Sequence, residues 1–166
     1  MNSRAFTQKM SLIIPPYERN NMNIFKQLML SLTLALASMN AAQAATAVTL
    51  YKSPTCGCCE KYVEYLRENG FAVKAVNESD MDAVKKRYGV SHIASCHTAL
   101  IDGYVVEGHV PVNAIRKLLK EKPALTGISA PGMPMNSPGM GEMKKGTLTI
   151  YAVPKDGKAP YVFSVE

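Results

Sequence analysis

The sequence lacks an apolar run long enough to cross a lipid bilayer, which takes roughly 20 apolar residues. Its N-terminal run covers only residues 28–37, follows Lys26 and precedes an Ala-Gln-Ala pattern that ends at Ala44. A short apolar run between a basic residue and a small-residue pattern is typical of a secretory signal peptide. We therefore expect residues 1–44 to be a signal peptide, with Met22 as a candidate true start. The mature product is expected to be periplasmic, with no membrane contact after cleavage.

Charge is not concentrated in any one segment either. The chain has 19 Lys and Arg against 13 Asp and Glu, a formal net charge of +6, but these residues are scattered. Nucleic-acid-binding proteins instead carry a basic stripe or a recognisable binding motif, and this sequence has neither. It also has no internal repeat, which excludes a repeat architecture. We predict no nucleic-acid partner.

Cysteine is scarce as well. The four residues are Cys56, Cys58, Cys59 and Cys96, all beyond the predicted cleavage point. An even number of cysteines in an exported chain usually predicts structural disulfides. Here three of them crowd into one Cys-Gly-Cys-Cys motif, where a bridge between neighbours closes almost no loop and stabilises little. Two purely structural disulfides are therefore disfavoured, and a chemical role for the thiols is favoured.

Hydrophobic alternation and turn signals predict a single α/β domain over residues 45–123. Strands are predicted at 48–51, 71–76, 98–101 and 104–107, and helices at 57–69, 80–88 and 112–122. The order βαβαββα, a parallel β-α-β unit followed by a hairpin, is that of the thioredoxin-like fold and resembles glutaredoxin in outline. Residues 124–146, rich in Met, Pro and Gly, are predicted to form a loop. Residues 147–166 are predicted to form a C-terminal hairpin packed on the domain.

The Cys-Gly-Cys-Cys motif stands where the first predicted strand leads into the first predicted helix. Backbone N–H groups and the helix dipole at that place favour anions, so a thiol there ionises more readily. A thiolate is both a nucleophile and a ligand for soft metals. Because Cys56 and Cys59 also form a C-x-x-C pair, a thiol–disulfide oxidoreductase is the main alternative to a metal-binding protein.

Two features weigh against the oxidoreductase. Cys58 lies inside the pair, where a third thiol could capture mixed disulfides. Thioredoxin-like redox proteins also carry a cis-proline before the third strand, whereas no proline lies between Gly89 and Gly103 and His97 stands at the corresponding position. Cys96 and His97 instead bring two further candidate ligands toward the motif.

The position of His109 follows from the Asp-Gly dipeptide at residues 102–103, the strongest short signal for a two-residue hairpin turn. Counting back from that turn places Cys96 opposite His109, with Cβ atoms about 4.5–5.5 Å apart. We expect His109 to reach the cysteines, and His97 to point to the other face if the strand stays regular. Both histidines are candidate metal ligands.

The donor set determines which metals are expected. Four thiols and one or two imidazoles are soft to borderline donors that suit Cu(I), Zn(II) or an iron–sulfur cluster. The sequence has neither zinc-finger spacings nor the usual cysteine spacings of iron–sulfur sites. Copper(I) is therefore preferred over zinc. Because the consecutive Cys58 and Cys59 cannot easily point at one ion, several Cu(I) ions per chain are a further hypothesis.

Other candidate residues lie outside this cluster. The predicted loop carries Met133, Met135, Met140 and Met143. The thioethers of Met133 and Met140 could form a secondary metal site, because thioethers select Cu(I); the alternative is that they pin the loop to the domain as apolar contacts. For the other two methionines the apolar role is favoured. We expect His92 to be solvated in a polar loop and the basic run at residues 85–87 to be a solvated helix face.

Several motifs together resemble the CopG-type periplasmic copper-resistance proteins, which are metal-binding and thioredoxin-like. They are Cys-Gly-Cys-Cys after a strand, Ser95-Cys96-His97-Thr98, Asp102-Gly103-Tyr104-Val105-Val106-Glu107-Gly108-His109-Val110-Pro111, Pro131-Gly132-Met133-Pro134 and Ser137-Pro138-Gly139-Met140. The resemblance covers nearly the whole mature chain. It implies copper binding at the four cysteines and a part in copper handling, for which Cu(I)/Cu(II) interconversion is one option. Tyr62 departs from the family, which more often has Trp there.

The sequence thus leads to a copper-binding protein of resistance or homeostasis, acting by sequestration, delivery or redox cycling of the metal. Its expected ligands are copper ions, and its candidate partners are other periplasmic copper-handling or efflux proteins. A thiol–disulfide oxidoreductase using Cys56 and Cys59 is the alternative, and a zinc or mercury scavenger is a third option. The sequence leaves open whether the protein turns over as an enzyme.

Overall fold

A computed structural model describes residues 45–166 of the chain. The predicted signal peptide, its cleavage after Ala44 and the alternative start at Met22 lie outside the described residues. Within residues 45–166 no helix is long and apolar enough to cross a membrane.

The described region contains seven strands, three α-helices and one short 3-10 helix. The strands are β1 (Thr46–Lys52), β2 (Phe71–Asn77), β3 (His97–Ile101), β4 (Tyr104–Glu107), β5 (Leu125–Ser129), β6 (Thr149–Pro154) and β7 (Tyr161–Val165). The helices are α1 (Gly57–Glu68), α2 (Met81–Arg87) and α3 (Val112–Glu121), with a short 3-10 helix at Ser91–Ile93. Up to α3 this is the predicted order βαβαββα.

Local signals in the sequence set the ends of the helices. Gly70, with a φ of 87°, follows α1 in the left-handed conformation that commonly ends a helix. The Asp80 side chain accepts a hydrogen bond from the Ala83 N–H at 2.9 Å and caps the start of α2. Pro111 precedes α3, where its missing N–H costs nothing.

All seven strands form one sheet in the order β2-β1-β3-β4-β5-β6-β7. β1 pairs in parallel with β2, and β4 with β5, whereas the other neighbours are antiparallel. The hairpin predicted at residues 102–103 is present, and it pairs Leu100 with Val105 and Thr98 with Glu107. This confirms the register expected from a two-residue turn. The described residues thus form a mixed α/β domain.

The structure corrects one predicted segment. Sequence analysis predicts a loop over residues 124–146, but Leu125–Ser129 form strand β5 within the sheet. Gly127 lets β5 approach β4, since a Cβ there would collide with the Val105 carbonyl oxygen. A short strand with a central glycine has little local signal, because its hydrogen bonds come from β4 and β6. The predicted C-terminal hairpin is present as β6 and β7, and it continues the same sheet through β5.

Apolar side chains cover both faces of the sheet, because successive strand residues point to opposite faces. Val106 belongs to the larger core, which includes residues of α1 and α3. Its neighbour Val105 packs with Val90 and Ile93 in a smaller core. The larger core holds α1, and with it the cysteine motif, against the sheet.

Candidate metal centre

The cysteine motif lies at the predicted junction, between the end of β1 and the first turn of α1. The Cys56 N–H donates to the Ser53 carbonyl oxygen at 3.1 Å, which closes the turn, and the Glu60 N–H donates to the Cys56 carbonyl oxygen at 3.3 Å, which starts the helix. Cys59 is fully buried in the core, whereas Cys56 and Cys58 stay partly exposed. The motif therefore presents sulfur atoms both to the interior and to the surface.

Cys96 completes a cluster of four cysteines. It lies just before β3, and its Sγ atom and those of Cys56, Cys58 and Cys59 are all within 4.8 Å of one another. Cys56 and Cys59 are joined by a disulfide, while Cys58 and Cys96 are free thiols. The Cys58 Sγ lies 3.5 Å from the Cys56 Sγ. The four cysteines singled out in the sequence thus meet at one place, where they hold both a disulfide and two thiols.

His109 reaches this cluster, as the hairpin predicts. Its Nε2 lies 2.9 Å from the Cys96 Sγ. Regular pairing of β3 with β4 ends at Thr98 and Glu107, and Gly108 follows with a φ of 76°. This left-handed conformation, which glycine adopts without strain, turns the chain so that His109 approaches the cysteine.

The predicted orientation of His97 is wrong. Sequence analysis expects it on the face opposite to His109, but the two ring centroids are 4.8 Å apart, and the His97 Nδ1 lies 3.5 Å from the Cys96 Sγ. The alternation of side chains along β4 stops at Gly108, so His109 turns back to the face that His97 occupies. Both rings pack on Tyr62, at centroid distances of 4.5 and 5.1 Å. Cys96, His97 and His109 thus form a second group of donors within 4.8 Å of one another.

One hydrogen bond determines which nitrogen of His109 faces the thiol. The His109 Nδ1 lies 2.7 Å from the Pro138 carbonyl oxygen. Because a carbonyl can only accept, Nδ1 carries the hydrogen and donates it. The lone pair of Nε2 is then left for the Cys96 thiol or for a metal ion. Metal-binding histidines are commonly oriented in this way by a backbone carbonyl.

Burial keeps this donor group uncharged. Burial, followed by the neighbouring Cys58, raises the pKa of the Cys96 thiol to about 12, and burial lowers the pKa of His109. At neutral pH the Cys96 S–H therefore donates to the His109 Nε2, and a bound cation would displace that proton. Burial also holds the pKa of His97 well below its usual value. Among the described residues no group pairs with the buried His97 Nε2, so this donor set is not fully satisfied by the protein alone.

Known proteins are similar to this chain in sequence and in fold. Residues 93–140 match a family model described as a protein of unknown function, DUF411, and no curated protein matches the chain. Two solved structures, titled Copper resistance protein copG, Form 2 and Form 1, are each 39% identical to the chain with a TM-score of 0.67. The matches cover 73% and 74% of this chain and 98% of each of those chains. The chain belongs to the CopG family of copper-resistance proteins.

In this member of the CopG family, Gly139 of the Met/Pro/Gly-rich loop lies close to the cysteine motif. Gly139, with a φ of 79°, lies so close to α1 that a Cβ there would be 3.0 Å from the Tyr62 nitrogen and 3.2 Å from the Cys58 carbonyl oxygen. The preceding residue, Pro138, is buried. This close approach holds the Pro138 carbonyl against His109.

Three of the four methionines in the Met/Pro/Gly-rich loop are exposed. Met133, Met135 and Met143 are 60%, 67% and 42% exposed, and Met140 is partly buried. The apolar role predicted for Met135 and Met143 is therefore wrong, because side chains as exposed as these do not pin the loop to the domain. Metal binding by Met133 and Met140 stays a prediction. His92 is exposed, as predicted.

Sequence analysis missed a buried ion pair next to the centre. Lys85 is predicted to be solvated, but it is 5% exposed and its Nζ lies 2.8 Å from Oε1 of the fully buried Glu107. Its neighbours Lys86 and Arg87 are exposed, and a basic run gives no sign of which member is buried. The one feature of the sequence that could have indicated this ion pair is Glu107, a carboxylate at the end of an apolar strand. Burial raises the pKa of Glu107, against the opposing effect of its hydrogen bonds.

Proposed function

We propose that this protein is a periplasmic copper-binding protein of copper resistance or homeostasis that holds Cu(I) through its cysteine cluster. The proposed ligands are Cys56, Cys58, Cys59 and Cys96, together with His97 and His109. One observation carries the proposal: four sulfur atoms lie within 4.8 Å of one another, and two imidazoles share one of these sulfurs. The solved relatives are titled copper resistance proteins, which supports copper as the metal.

Copper is favoured over other metals. Thiolate and imidazole donors suit both Cu(I) and zinc. Zinc is the weaker candidate because the sequence has no zinc-finger spacing and the solved relatives are titled copper resistance proteins. A tetrahedral site for a soft metal uses about four donors, whereas six donor side chains meet in this cluster. We therefore propose that several Cu(I) ions are held per chain.

The Cys56–Cys59 disulfide makes copper loading dependent on redox state. A dithiol reductant converts it into two thiols and is itself oxidised to a disulfide, which gives the four thiols that the full site needs. The same pair can exchange electrons with copper: two Cu(II) ions oxidise the two thiols, yielding two Cu(I) ions, one disulfide and two protons. Cu(I)/Cu(II) interconversion is therefore part of the proposal, beside sequestration and delivery.

Copper(I) titration of reduced, anaerobic protein tests this function. Thiolate-bound Cu(I) should absorb in the near ultraviolet by charge transfer, and a Cys56→Ser/Cys59→Ser variant should lose that absorption. Its Cu(I) affinity should fall by more than about 100-fold, since outer-shell partners alone typically contribute about 10–100-fold. The exposed His92→Ala is the control and should bind as the wild type does. Full capacity and absorption in the double serine variant would contradict the proposal.

A thiol–disulfide oxidoreductase is the second candidate, because Cys56 and Cys59 form a disulfide at the N-terminus of α1. Two observations disfavour it: Cys58 lies 3.5 Å from Cys56, and residues 45–166 contain no cis peptide bond. Insulin reduction in the presence of dithiothreitol separates the two candidates. We expect no more than the background rate, and turnover that vanishes in the Cys56→Ser/Cys59→Ser variant would favour the oxidoreductase.

We further propose a thioredoxin-like topology for residues 45–123. It is supported by the strand order β2-β1-β3-β4, with β1 parallel to β2 and β3 antiparallel to β4. Export through residues 1–44 would bring this domain to the periplasm. Other periplasmic copper-handling or efflux proteins are the proposed partners there.

A further inference from the structure

The carboxylate of Glu107, at the end of β4, is fully buried and hydrogen-bonded on both oxygens. Oε1 accepts from the Lys85 ammonium at 2.8 Å and from the Ser95 N–H at 2.6 Å. Oε2 accepts from the Thr98 hydroxyl at 2.6 Å. Lys85 also donates to the Thr98 hydroxyl oxygen, at 3.3 Å. The carboxylate therefore joins α2, the start of β3 and the end of β4.

This buried network lies behind the metal centre. Thr98 and Glu107 form a cross-strand pair, and alternation along β3 puts Thr98 on the face opposite to His97. Neither member of the pair belongs to the two donor groups. The network can therefore act on the centre only through the chain that connects them.

That connection is short on both strands. Ser95 and Thr98 bracket Cys96 in the sequence, and Glu107 lies two residues before His109. The hydrogen bonds to one carboxylate thus hold both sides of the 2.9 Å contact between the Cys96 Sγ and the His109 Nε2.

Stability alone does not account for a buried ion pair at this place. Desolvation of two charges offsets most of their attraction, so well-packed apolar residues of similar volume are often equally or more stable. A fully hydrogen-bonded buried network does define one geometry, because every alternative leaves a buried polar group without a partner.

We propose that Glu107, with its charge balanced by Lys85, is a positioning residue for the metal centre. It holds Ser95 and Thr98 so that the Cys96 thiol meets the His109 imidazole. This inference depends on the proposed function only for the identity of the bound metal.

Two double variants separate positioning from stability. Lys85→Met/Glu107→Gln removes both charges but keeps an oxygen that accepts from the Ser95 N–H, whereas Lys85→Met/Glu107→Leu removes that acceptor too. We expect the first to bind Cu(I) within roughly threefold of the wild type, since a neutral acceptor replaces the charged one. The second should bind at least about tenfold more weakly, because losing an outer-shell partner typically costs about 10–100-fold in metal affinity.

Competition with a chromophoric Cu(I) chelator on reduced, anaerobic protein measures these affinities. Lys86→Met, at an exposed position on the same helix, is the matched control and should leave the affinity unchanged. Nitrogen-15 NMR of the metal-free protein gives a second readout. The His109 Nε2 resonance should match the wild type in the glutamine double variant and shift in the leucine one.

Equal Cu(I) affinities in the two double variants, or an unshifted His109 resonance in a folded leucine variant, would overturn the positioning role. If the leucine variant does not fold, Thr98→Val replaces it, because this substitution removes one hydroxyl donor to Glu107 at nearly constant volume. A Thr98→Val variant with the wild-type Cu(I) affinity and the wild-type His109 resonance would also overturn the positioning role. If the wild-type protein itself binds no Cu(I), the proposed function fails, while the metal-free resonances still decide the positioning role.

Discussion

A Gly108→Ala variant should lose about 3 kcal/mol of unfolding free energy and most of its Cu(I) affinity. The φ of 76° at Gly108 would cost an alanine about 1–2 kcal/mol. A Cβ there would also lie 2.5 Å from the Ser95 Cβ and 2.6 Å from the Ala130 carbonyl oxygen, and such overpacking costs about 1–3 kcal/mol. Because Ser95 precedes Cys96, relief of the clash would displace a proposed ligand.

Gly103→Ala is the matched control for this substitution. Gly103 has a similar φ of 80°, but nothing lies within 4 Å of the position of its Cβ. The variant should therefore lose only the conformational part, about 1–2 kcal/mol, and keep its Cu(I) affinity. Urea denaturation and Cu(I) titration measure both quantities, and equal losses in the two variants would show that the close packing at Gly108 does not matter.

His109→Ala should weaken Cu(I) binding by at least about tenfold. The substitution removes the imidazole whose Nε2 lies 2.9 Å from the Cys96 Sγ, and it deletes a proposed ligand rather than an outer-shell partner, whose loss alone typically costs about 10–100-fold. It also leaves the buried Pro138 carbonyl without its donor, which should lower the free energy of unfolding by about 1–3 kcal/mol.

Chelator competition and urea denaturation on the same preparations separate these two effects. The exposed His92→Ala variant should match the wild type in both measurements. A His109→Ala variant with wild-type Cu(I) affinity would remove His109 from the proposed ligands, while its contact with Cys96 would still stand as a structural fact.

The hairpin between β3 and β4 shows how much of the site can be predicted from local sequence signals. The Asp-Gly turn uses positive φ values of 48° at Asp102 and 80° at Gly103, which few other residue pairs adopt. Once the turn is set, the register is fixed as far as the pair Thr98 and Glu107. Counting beyond that pair predicted that His109 lies near Cys96, but the contact itself depends on the left-handed turn at Gly108. The same counting wrongly predicted that His97 and His109 lie on opposite faces of the hairpin. That prediction assumed regular alternation along β4, which ends at Gly108.

The cysteine cluster was predictable for a similar reason. A strand that leads into a helix places Cys56 and Cys59 at the first helical turn, and a third strand that starts at the same edge brings Cys96 to them. The Cys56–Cys59 disulfide was not predictable to the same degree, because the C-x-x-C spacing suits a disulfide and a pair of free thiols alike.

The sequence by itself determined the order of elements up to α3, the register of the β3–β4 hairpin and the residues that meet at the cluster. Turns, helix caps and alternation act within a few residues, so they need no partner from elsewhere in the chain. Only the tertiary structure decided the place of β5 in the sheet, the burial of Lys85 against Glu107 and the Pro138 contact that selects the His109 tautomer. Each of these depends on hydrogen bonds to groups distant in the chain, which no local pattern encodes.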